Sequence, residues 1–402
     1  MQRSFRLLHL LCFRMRFAFR LREEVIVRLF LTVALLFGAM EIMAKHIAYI
    51  GTYAKPDGGV HVLEIDGETG AFRELRVVTG IADPTYLCMN KAKTKVYVGC
   101  GKVKIAGAPE NDGGVAAFDV KGDDLVFTSF QSCHSAKPCY VSLDRNEGYL
   151  FAANYGEGTG CAFKLDAKGE LVKEVKHFVH TGRGPHPTRQ EKAHVHWCEA
   201  TPDNKTLYFV DLGLDTVKAY NFDNGNGDFS PLPGLDLKAE PGAGPRHVWF
   251  TQGGKRIYVV NELASTVTLF EESNGGYARI QTVAMLPEDY PNKDKNTASA
   301  IRLTADGTRL LASTRGHDSI AVYDVDAATG KLTLMAINPT LGRGPRDFEF
   351  MPGEKFVLVA HQYTDNVVCF AFDRETGKMS PIGEQILVPK GVCVKIGQEI
   401  KK

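Results

Sequence analysis

The chain has 402 residues, of which 44% are hydrophobic, and its formal net charge is +1. This is enough apolar sequence for a large core, and the balanced charge argues against nucleic-acid binding, which needs a basic face. Nine cysteines, an odd number without regular spacing, indicate reduced thiols and not a disulfide framework.

The first 42 residues differ from the rest of the chain. They hold seven Arg and three Glu, a formal charge of +4 against +1 for the whole chain, which leaves −3 for the remainder. An apolar run from Leu29 to Met40 follows the basic stretch, as in a signal peptide or anchor. The run is short for a membrane-spanning helix, and Met43 leads directly into the first strand. Two interpretations stay open: a misassigned upstream start, or an export signal or membrane anchor.

Residues 43–402 repeat one phrase, which consists of a strand, a Gly/Asp/Asn turn, a second strand of β-branched and aromatic residues, and a polar break. The breaks recur about every 50 residues, at Thr52, Cys100, Asn154, Asp211, Asn261, Thr314 and His361. Seven such repeats predict one all-β domain, a seven-bladed β-propeller formed by residues 43–402.

A middle blade shows the predicted unit. We expect its four strands at His247–Thr251, Arg256–Val260, Thr266–Glu271 and Ala278–Ala284, with glycine-rich turns between them. The first blade lacks a strand before Ile47, whereas the chain ends with a spare strand at residues 392–396. Because an open ring would leave an unpaired edge, we predict that this C-terminal strand completes the first blade.

The polar residues of the repeats should converge on one mouth of the central channel. The first two strands of a blade are antiparallel, so the start of one and the end of the other lie at the same edge. The residues at these positions suit an anionic substrate and acid–base chemistry. They are His194, His196, Arg246, Glu262, Arg315, Arg346 and His361.

Each of these residues also has a structural interpretation. Arg246 and Arg346 occupy matching Gly-x-Gly-Pro-Arg turns and could brace neighbouring blades, with Glu262 as a partner. His194 and His196 could share a strand face as a metal-binding pair, but no acidic ligand cluster accompanies them. We therefore expect no metal and no cofactor. The segment 182–193 is longer than the repeat requires, and Arg189 within it is a candidate to bind a substrate phosphate.

These repeats carry phrases that together resemble the lactonase family of seven-bladed propellers. That family includes propeller-type 6-phosphogluconolactonases and carboxy-cis,cis-muconate cyclase. The phrases span about residues 46–396 in the family's order: YIGTY from Tyr49, NYG from Asn154, RQEKAHVH from Arg189, DLGLD from Asp211, GPRH from Gly244, NEL from Asn261, STRGHDSI from Ser313 and GPRD from Gly344.

The resemblance implies a catalytic set of one His, two Arg and one Glu, which falls on His196, Arg246, Glu262 and Arg315. Around it we expect the substrate-binding residues Arg189, His194, Arg346 and His361. The implied reaction is hydrolysis of a small anionic sugar lactone, 6-phosphogluconolactone to 6-phosphogluconate in the pentose phosphate pathway.

Two other functions stay open, namely a muconate-type cyclase or isomerase and a non-catalytic propeller that binds a protein partner. For the propeller body we expect neither nucleic acid nor membrane as a partner. We expect a cytoplasmic location unless residues 1–42 are a functional signal or anchor.

Overall fold

Seven antiparallel sheets of four strands each form a ring in a computed structural model, which describes residues 45–55, 58–223, 225 and 227–400. The propeller predicted from the repeats is thereby confirmed. The predicted extension at residues 1–42 lies outside the described residues. In the described part of the chain, no helix is long and apolar enough to span a membrane.

The strands follow one another along the chain with short connections. The first four blades use β1 Lys45–Thr52, β2 Val60–Asp66, β3 Phe72–Val78, β4 Tyr86–Met89, β5 Lys95–Cys100, β6 Gly114–Lys121, β7 Asp124–Ser132, β8 Tyr140–Leu143, β9 Tyr149–Asn154, β10 Thr159–Leu165, β11 Leu171–Val179, β12 Val195–Ala200, β13 Thr206–Asp211, β14 Thr216–Asn221 and β15 Leu237–Lys238. The other three blades use β16 Pro245–Phe250, β17 Arg256–Asn261, β18 Thr266–Ser273, β19 Gly276–Ala284, β20 Thr297–Leu303, β21 Arg309–Arg315, β22 Ser319–Val325, β23 Leu332–Pro339, β24 Pro345–Phe350, β25 Phe356–His361, β26 Asn366–Phe372 and β27 Met379–Leu387. Short 3-10 helices lie at Leu212–Leu214, Pro233–Leu235 and Lys293–Lys295.

The last strand, β28 (Gly391–Ile400), closes the ring as predicted. It pairs antiparallel with β1, with Ile50 opposite Val394, so the first sheet has the order β28-β1-β2-β3. It also contacts the innermost strands of the blades on either side, β4 and β24. The first blade is therefore built from both ends of the propeller, and β1 is paired along both of its edges.

The predicted strand bounds agree with the structure because the turn signals are strong. In the fifth blade, β16 to β19 begin and end within two residues of the expected positions. The polar breaks fall at the ends of the second strands, as at Asn154 and Asp211. The eight described cysteines are all free, in agreement with the expected reduced thiols.

Neighbouring blades are joined by buried apolar side chains and by a repeated hydrogen bond. The hydroxyl of Tyr97 on β5 donates to the carbonyl of Gly169 in the next blade, with the oxygens 2.8 Å apart. Tyr258 on β17 makes the same bond to Gly330 at 2.7 Å. Both tyrosine side chains are buried, so each bond satisfies a hydroxyl that would otherwise be costly in the core. The scaffold around the central channel is thus fixed by contacts from blade to blade.

Candidate active site

A β-bulge at the start of the innermost strand places three of the predicted site residues. In each bulge one residue is extra, because its two neighbours pair with consecutive residues of the next strand. The extra residues are His196 on β12, Arg246 on β16 and Arg346 on β24. A bulge of this kind re-aims one side chain without disturbing the rest of the strand. Three blades therefore present a polar side chain at the same position of the repeat.

Glu262 is the centre of the polar cluster at this mouth. It follows β17 directly, is only 4% exposed, and is contacted by three guanidinium groups. Its Oε1 accepts a hydrogen bond from Nη2 of Arg189 at 2.5 Å. Its Oε2 lies 2.9 Å from Nε of Arg246 and 3.0 Å from Nη2 of Arg315. Both carboxylate oxygens are thus engaged by cations.

The two arginines that share Oε2 are also held by backbone carbonyls of β20. Arg246 Nη1 donates to the carbonyl of Ser299 at 2.9 Å, and Arg315 Nη2 donates to that of Ala298 at 2.8 Å. Arg246 is 2% exposed and is not among the residues that line the adjacent pocket. This geometry favours a role for Arg246 in positioning Glu262 over direct contact with a ligand.

The pocket above Glu262 has a volume of about 670 Å³. Four predicted residues line it together with Glu262, namely Arg189, His196, Arg315 and Arg346. Other lining residues that the sequence did not single out as site residues include Tyr53, Lys137, Tyr155, Glu157 and Tyr363. A cavity of this volume can hold a small-molecule ligand.

Two predicted substrate-binding histidines lie outside the lining of this pocket. His194 stacks on Tyr155 with ring centroids 4.4 Å apart, and its Nε2 lies 3.0 Å from a carboxylate oxygen of Glu191. His361 is fully buried, and its Nδ1 lies 3.2 Å from the carbonyl oxygen of Asn366. The idea that His194 and His196 share a strand face is wrong, because His194 precedes β12 and His196 is the bulged residue.

The three tyrosines that line the pocket occupy a position that can be recognised from the sequence. Tyr53, Tyr155 and Tyr363 each come one or two residues after the end of the second strand of a blade. That is the same rim position from which Glu262 comes. An aromatic residue just beyond the polar break could therefore have been included among the candidate site residues.

Arg346 differs from the other arginines of the pocket because no carboxylate neutralises it directly. Its Nη1 lies 3.3 Å from Oε1 of Gln362, and its Nη2 lies 3.4 Å from the hydroxyl of Tyr53. Among the described residues, no carboxylate oxygen lies within 4.0 Å of its guanidinium. Lys137 also approaches Tyr53, with Nζ 4.6 Å from the ring centroid. This side of the pocket carries excess positive charge.

The cluster lowers the pKa of three of its members. Burial acts to raise the pKa of Glu262, but Arg315 and Arg246 overcome this and hold it well below its usual range. Burial, and then the charge of Arg246, lower the pKa of His196 well below 6.5. Burial, with repulsion from Arg315 and Arg346, also lowers the pKa of Arg246 to about 9. At neutral pH the site therefore holds an ionised carboxylate, a neutral imidazole and crowded guanidinium cations.

The sequence profile described as "Lactonase, 7-bladed beta-propeller" matches residues 47–396. The chain belongs to this lactonase family. It is 36% identical over 367 residues to a Bacillus subtilis protein named 6-phosphogluconolactonase, and the match covers 89% of this chain and all of that relative. The resemblance inferred from the sequence phrases is thus confirmed at the level of the family.

Two solved structures superpose on nearly the whole propeller. A Pseudomonas aeruginosa periplasmic gluconolactonase matches with a TM-score of 0.80 and 28% identity, over 88% of this chain and 99% of the other. A Lactobacillus plantarum protein matches with a TM-score of 0.78 and 32% identity, over 88% of this chain and 100% of the other. Family and relatives together support a lactonase hydrolase.

Proposed function

We propose that this protein hydrolyses an anionic sugar lactone, and that 6-phosphogluconolactone is the substrate. The observation that carries the proposal is the charge of the site, where Arg189, Arg246, Arg315 and Arg346 surround the single central carboxylate of Glu262. Guanidinium groups bind phosphate and carboxylate oxygens through paired N–H donors. The name of the Bacillus subtilis relative supports the same substrate.

In our proposal His196 is the general base. Both carboxylate oxygens of Glu262 are already held by guanidinium groups, so neither is free to accept a proton from water. His196 is neutral and lines the pocket, and its Nδ1 is buried without a hydrogen-bond partner, so Nε2 is the nitrogen that can face a ligand. Water bound at Nε2 would lose a proton to it and attack the lactone carbonyl carbon. Glu262 would stabilise the imidazolium that forms.

The remaining steps need an oxyanion partner and a proton donor. Arg315 lines the pocket and is held by Glu262 and Ala298, so its free N–H groups can receive the negative charge on the carbonyl oxygen. When the tetrahedral intermediate collapses, the bond between the carbonyl carbon and the ring oxygen breaks. The His196 imidazolium then returns the proton to that oxygen, which leaves the open hydroxy acid and a neutral histidine.

We assign the phosphate of the substrate to Arg346 and Lys137. Both cations are on the Tyr53 side of the pocket, where Arg346 has no carboxylate partner. Arg189 was the candidate from sequence, but its Nη2 is engaged by Glu262 and Tyr155. A half-buried guanidinium without a carboxylate partner gains more from an incoming dianion than one that already has such a partner.

A two-substrate comparison tests this assignment. With Arg346→Gln we expect kcat/KM for 6-phosphogluconolactone to fall by about 10²-fold, the scale of a lost charge-assisted contact. The value for unphosphorylated gluconolactone should change less than about threefold. Arg343→Gln, on the same connection but exposed, is the matched control. An equal loss for both lactones would reject Arg346 as the phosphate site, and no turnover of either lactone by the wild type would reject the function.

The phosphate group of the proposed substrate also bears on where in the cell the protein acts. Phosphorylated sugars do not cross membranes unaided because the desolvation of their charge is too costly, so we place the reaction in the cytoplasm. Its product, 6-phosphogluconate, would enter the pentose phosphate pathway. Fractionation of the source cells tests this proposal. Recovery outside the cytoplasm, together with a preference for unphosphorylated gluconolactone, would favour the export interpretation of residues 1–42.

A further inference from the structure

A cluster of metal-ligating side chains lies on the outer edge of the second and third blades, outside the pocket. His134 Nε2 is 2.7 Å from Oε2 of Glu174, and His177 Nδ1 is 3.3 Å from Oε1 of the same carboxylate. One ligand atom from each residue lies within 4.8 Å of the other two. Among the described residues, no other group of three His, Cys, Asp or Glu side chains comes together in this way.

The chain uses two local features to build the cluster. His134 follows β7 with a left-handed φ of 55°, which turns the chain at the end of the strand. On β11 a bulge separates Glu174 from His177, because Phe163 pairs with Glu174 and Cys161 pairs with His177. Opposed residues of a sheet point to the same face, so this bulge brings two residues three positions apart onto one face.

The ligand atoms suit a divalent transition metal. Imidazole nitrogens bind Zn²⁺ at about 2.0–2.1 Å and carboxylate oxygens at about 2.0–2.2 Å, which places neighbouring ligands about 3.3 Å apart in a tetrahedral site. The distances of 2.7 and 3.3 Å need only a small adjustment to reach this value. Glu174 Oε1 is buried and accepts no hydrogen bond, although His177 Nδ1 lies 3.3 Å away. A cation bound between these two atoms would coordinate both.

We propose that His134, Glu174 and His177 form a structural zinc site. Water takes the fourth position. The thiol of Cys161 lies 3.6 Å from His177 Nδ1 and 3.4 Å from the carbonyl oxygen of Cys133, and it stays outside the coordination sphere in this proposal. His134 is 61% exposed at its side chain and can rotate to admit the ion. The metal links the outermost strands of two blades, adding to hydrogen bonds such as the one from Gln131 Nε2 to the carbonyl of Val172.

The site also bears on the catalytic pocket without taking part in the chemistry. The three residues that follow His134 line that pocket, namely Ser135, Ala136 and Lys137. A metal on His134 therefore anchors the segment that carries Lys137. We expect metal loss to lower thermal stability and to raise KM, while kcat keeps its value.

Calorimetric titration of the full-length protein with Zn²⁺, after treatment with a chelator, tests the site. We expect one ion per chain with a Kd in the micromolar range or tighter, and a rise in Tm of about 2 °C or more at saturation. Mg²⁺ and Ca²⁺, which prefer oxygen ligands, should not replace it. This binding readout does not depend on lactonase activity.

Variants locate the ion. Glu174→Gln and His177→Asn should each weaken Zn²⁺ binding by more than tenfold, with an unchanged circular dichroism spectrum. Glu74→Gln is the matched control, because Glu74 occupies the same bulge position in the first blade and contacts a single histidine, His61, at 2.6 Å. It should bind Zn²⁺ as the wild type does. Absence of a one-to-one site, or wild-type affinity in Glu174→Gln, would overturn the proposal.

Discussion

Arg189 Nη2 lies 2.5 Å from Glu262 Oε1, although the two residues are 73 positions apart in the sequence. Arg189 comes from the long connection before β12, whereas Glu262 comes from the rim of the next blade. The connection therefore covers part of the channel mouth and contributes a cation to the central cluster. The ion pair links a long loop to the buried carboxylate at the centre of the site.

Loss of this ion pair should lower the activity of the site without unfolding the protein. In Arg189→Ala we expect kcat/KM for the lactone to fall by about tenfold or more, since one charge-assisted bond to Glu262 is removed. Steady-state kinetics at pH 7 measure the effect. Arg183→Ala, an exposed arginine of the same connection, should leave the kinetics unchanged. Equal kinetics in Arg189→Ala and the wild type would show that this ion pair does not contribute.

The role of Arg246 as a positioning residue predicts a particular kinetic signature. An ammonium group cannot contact Glu262 and the Ser299 carbonyl at the same time as a guanidinium does. Arg246→Lys should therefore lower kcat by about 10²-fold, with KM changed by less than about threefold. Arg279→Lys, on the surface of the same blade, is the control. A large rise in KM with normal kcat would instead indicate direct substrate binding.

Buried histidines should make the fold sensitive to acid. Burial lowers the pKa of His361 to about 4, from 6.5 for an unperturbed histidine. Between these values the unfolded chain binds a proton that the folded chain does not, so stability falls as the pH drops from about 6.5 to 4. This pKa shift corresponds to a loss of about 3 kcal/mol at most in the free energy of unfolding.

Urea unfolding at pH 7 and pH 5 measures the loss. His361→Asn should be less stable at pH 7 because a buried side chain is lost, but its free energy of unfolding should depend less on pH. An unchanged pH dependence in His361→Asn would show that this histidine does not titrate as proposed.

Ring closure by β28 predicts a strong effect of truncation. The strand buries the side chains of Val392, Cys393, Val394 and Ile396, and the Val394 amide donates to Asp347 Oδ2 at 2.9 Å. Burial of four apolar side chains is worth roughly 6 kcal/mol or more, which is comparable to the stability of a whole domain. Deletion of residues 391–402 should abolish the cooperative thermal transition. A truncated protein with the Tm of the full chain would contradict the role of β28.

Much of the fold could be predicted from sequence because each blade repeats the same local signals. The breaks at Thr52 and His361, for example, mark strand ends in the structure. The closing strand could also be predicted, because a strand missing at one end of the repeat matched a spare strand at the other. These inferences depend on local periodicity and on pairing of every strand edge.

The site could be predicted only in part, because its geometry depends on features without a local signal. The bulge that re-aims His196 breaks the alternation that should have placed it beside His194. The pairing of Arg189 with Glu262 depends on the path of a long loop, which periodicity does not describe. His361 occupies a rim position in the repeat but is buried there, since the repeat fixes the position of the backbone and not the surroundings of the side chain.

The most direct test is the rate of 6-phosphogluconolactone hydrolysis by the wild type and by Glu262→Gln, followed by coupled oxidation of the 6-phosphogluconate formed. The amide keeps the shape of Glu262 but loses the charge that organises three arginines and supports the His196 imidazolium. We expect hydrolysis by the wild type to exceed the spontaneous rate clearly. Glu262→Gln should lose at least about 10²-fold in kcat, with a Tm that is unchanged or only modestly shifted. No acceleration by the wild type, or full activity in a folded Glu262→Gln, would contradict lactone hydrolysis at this pocket.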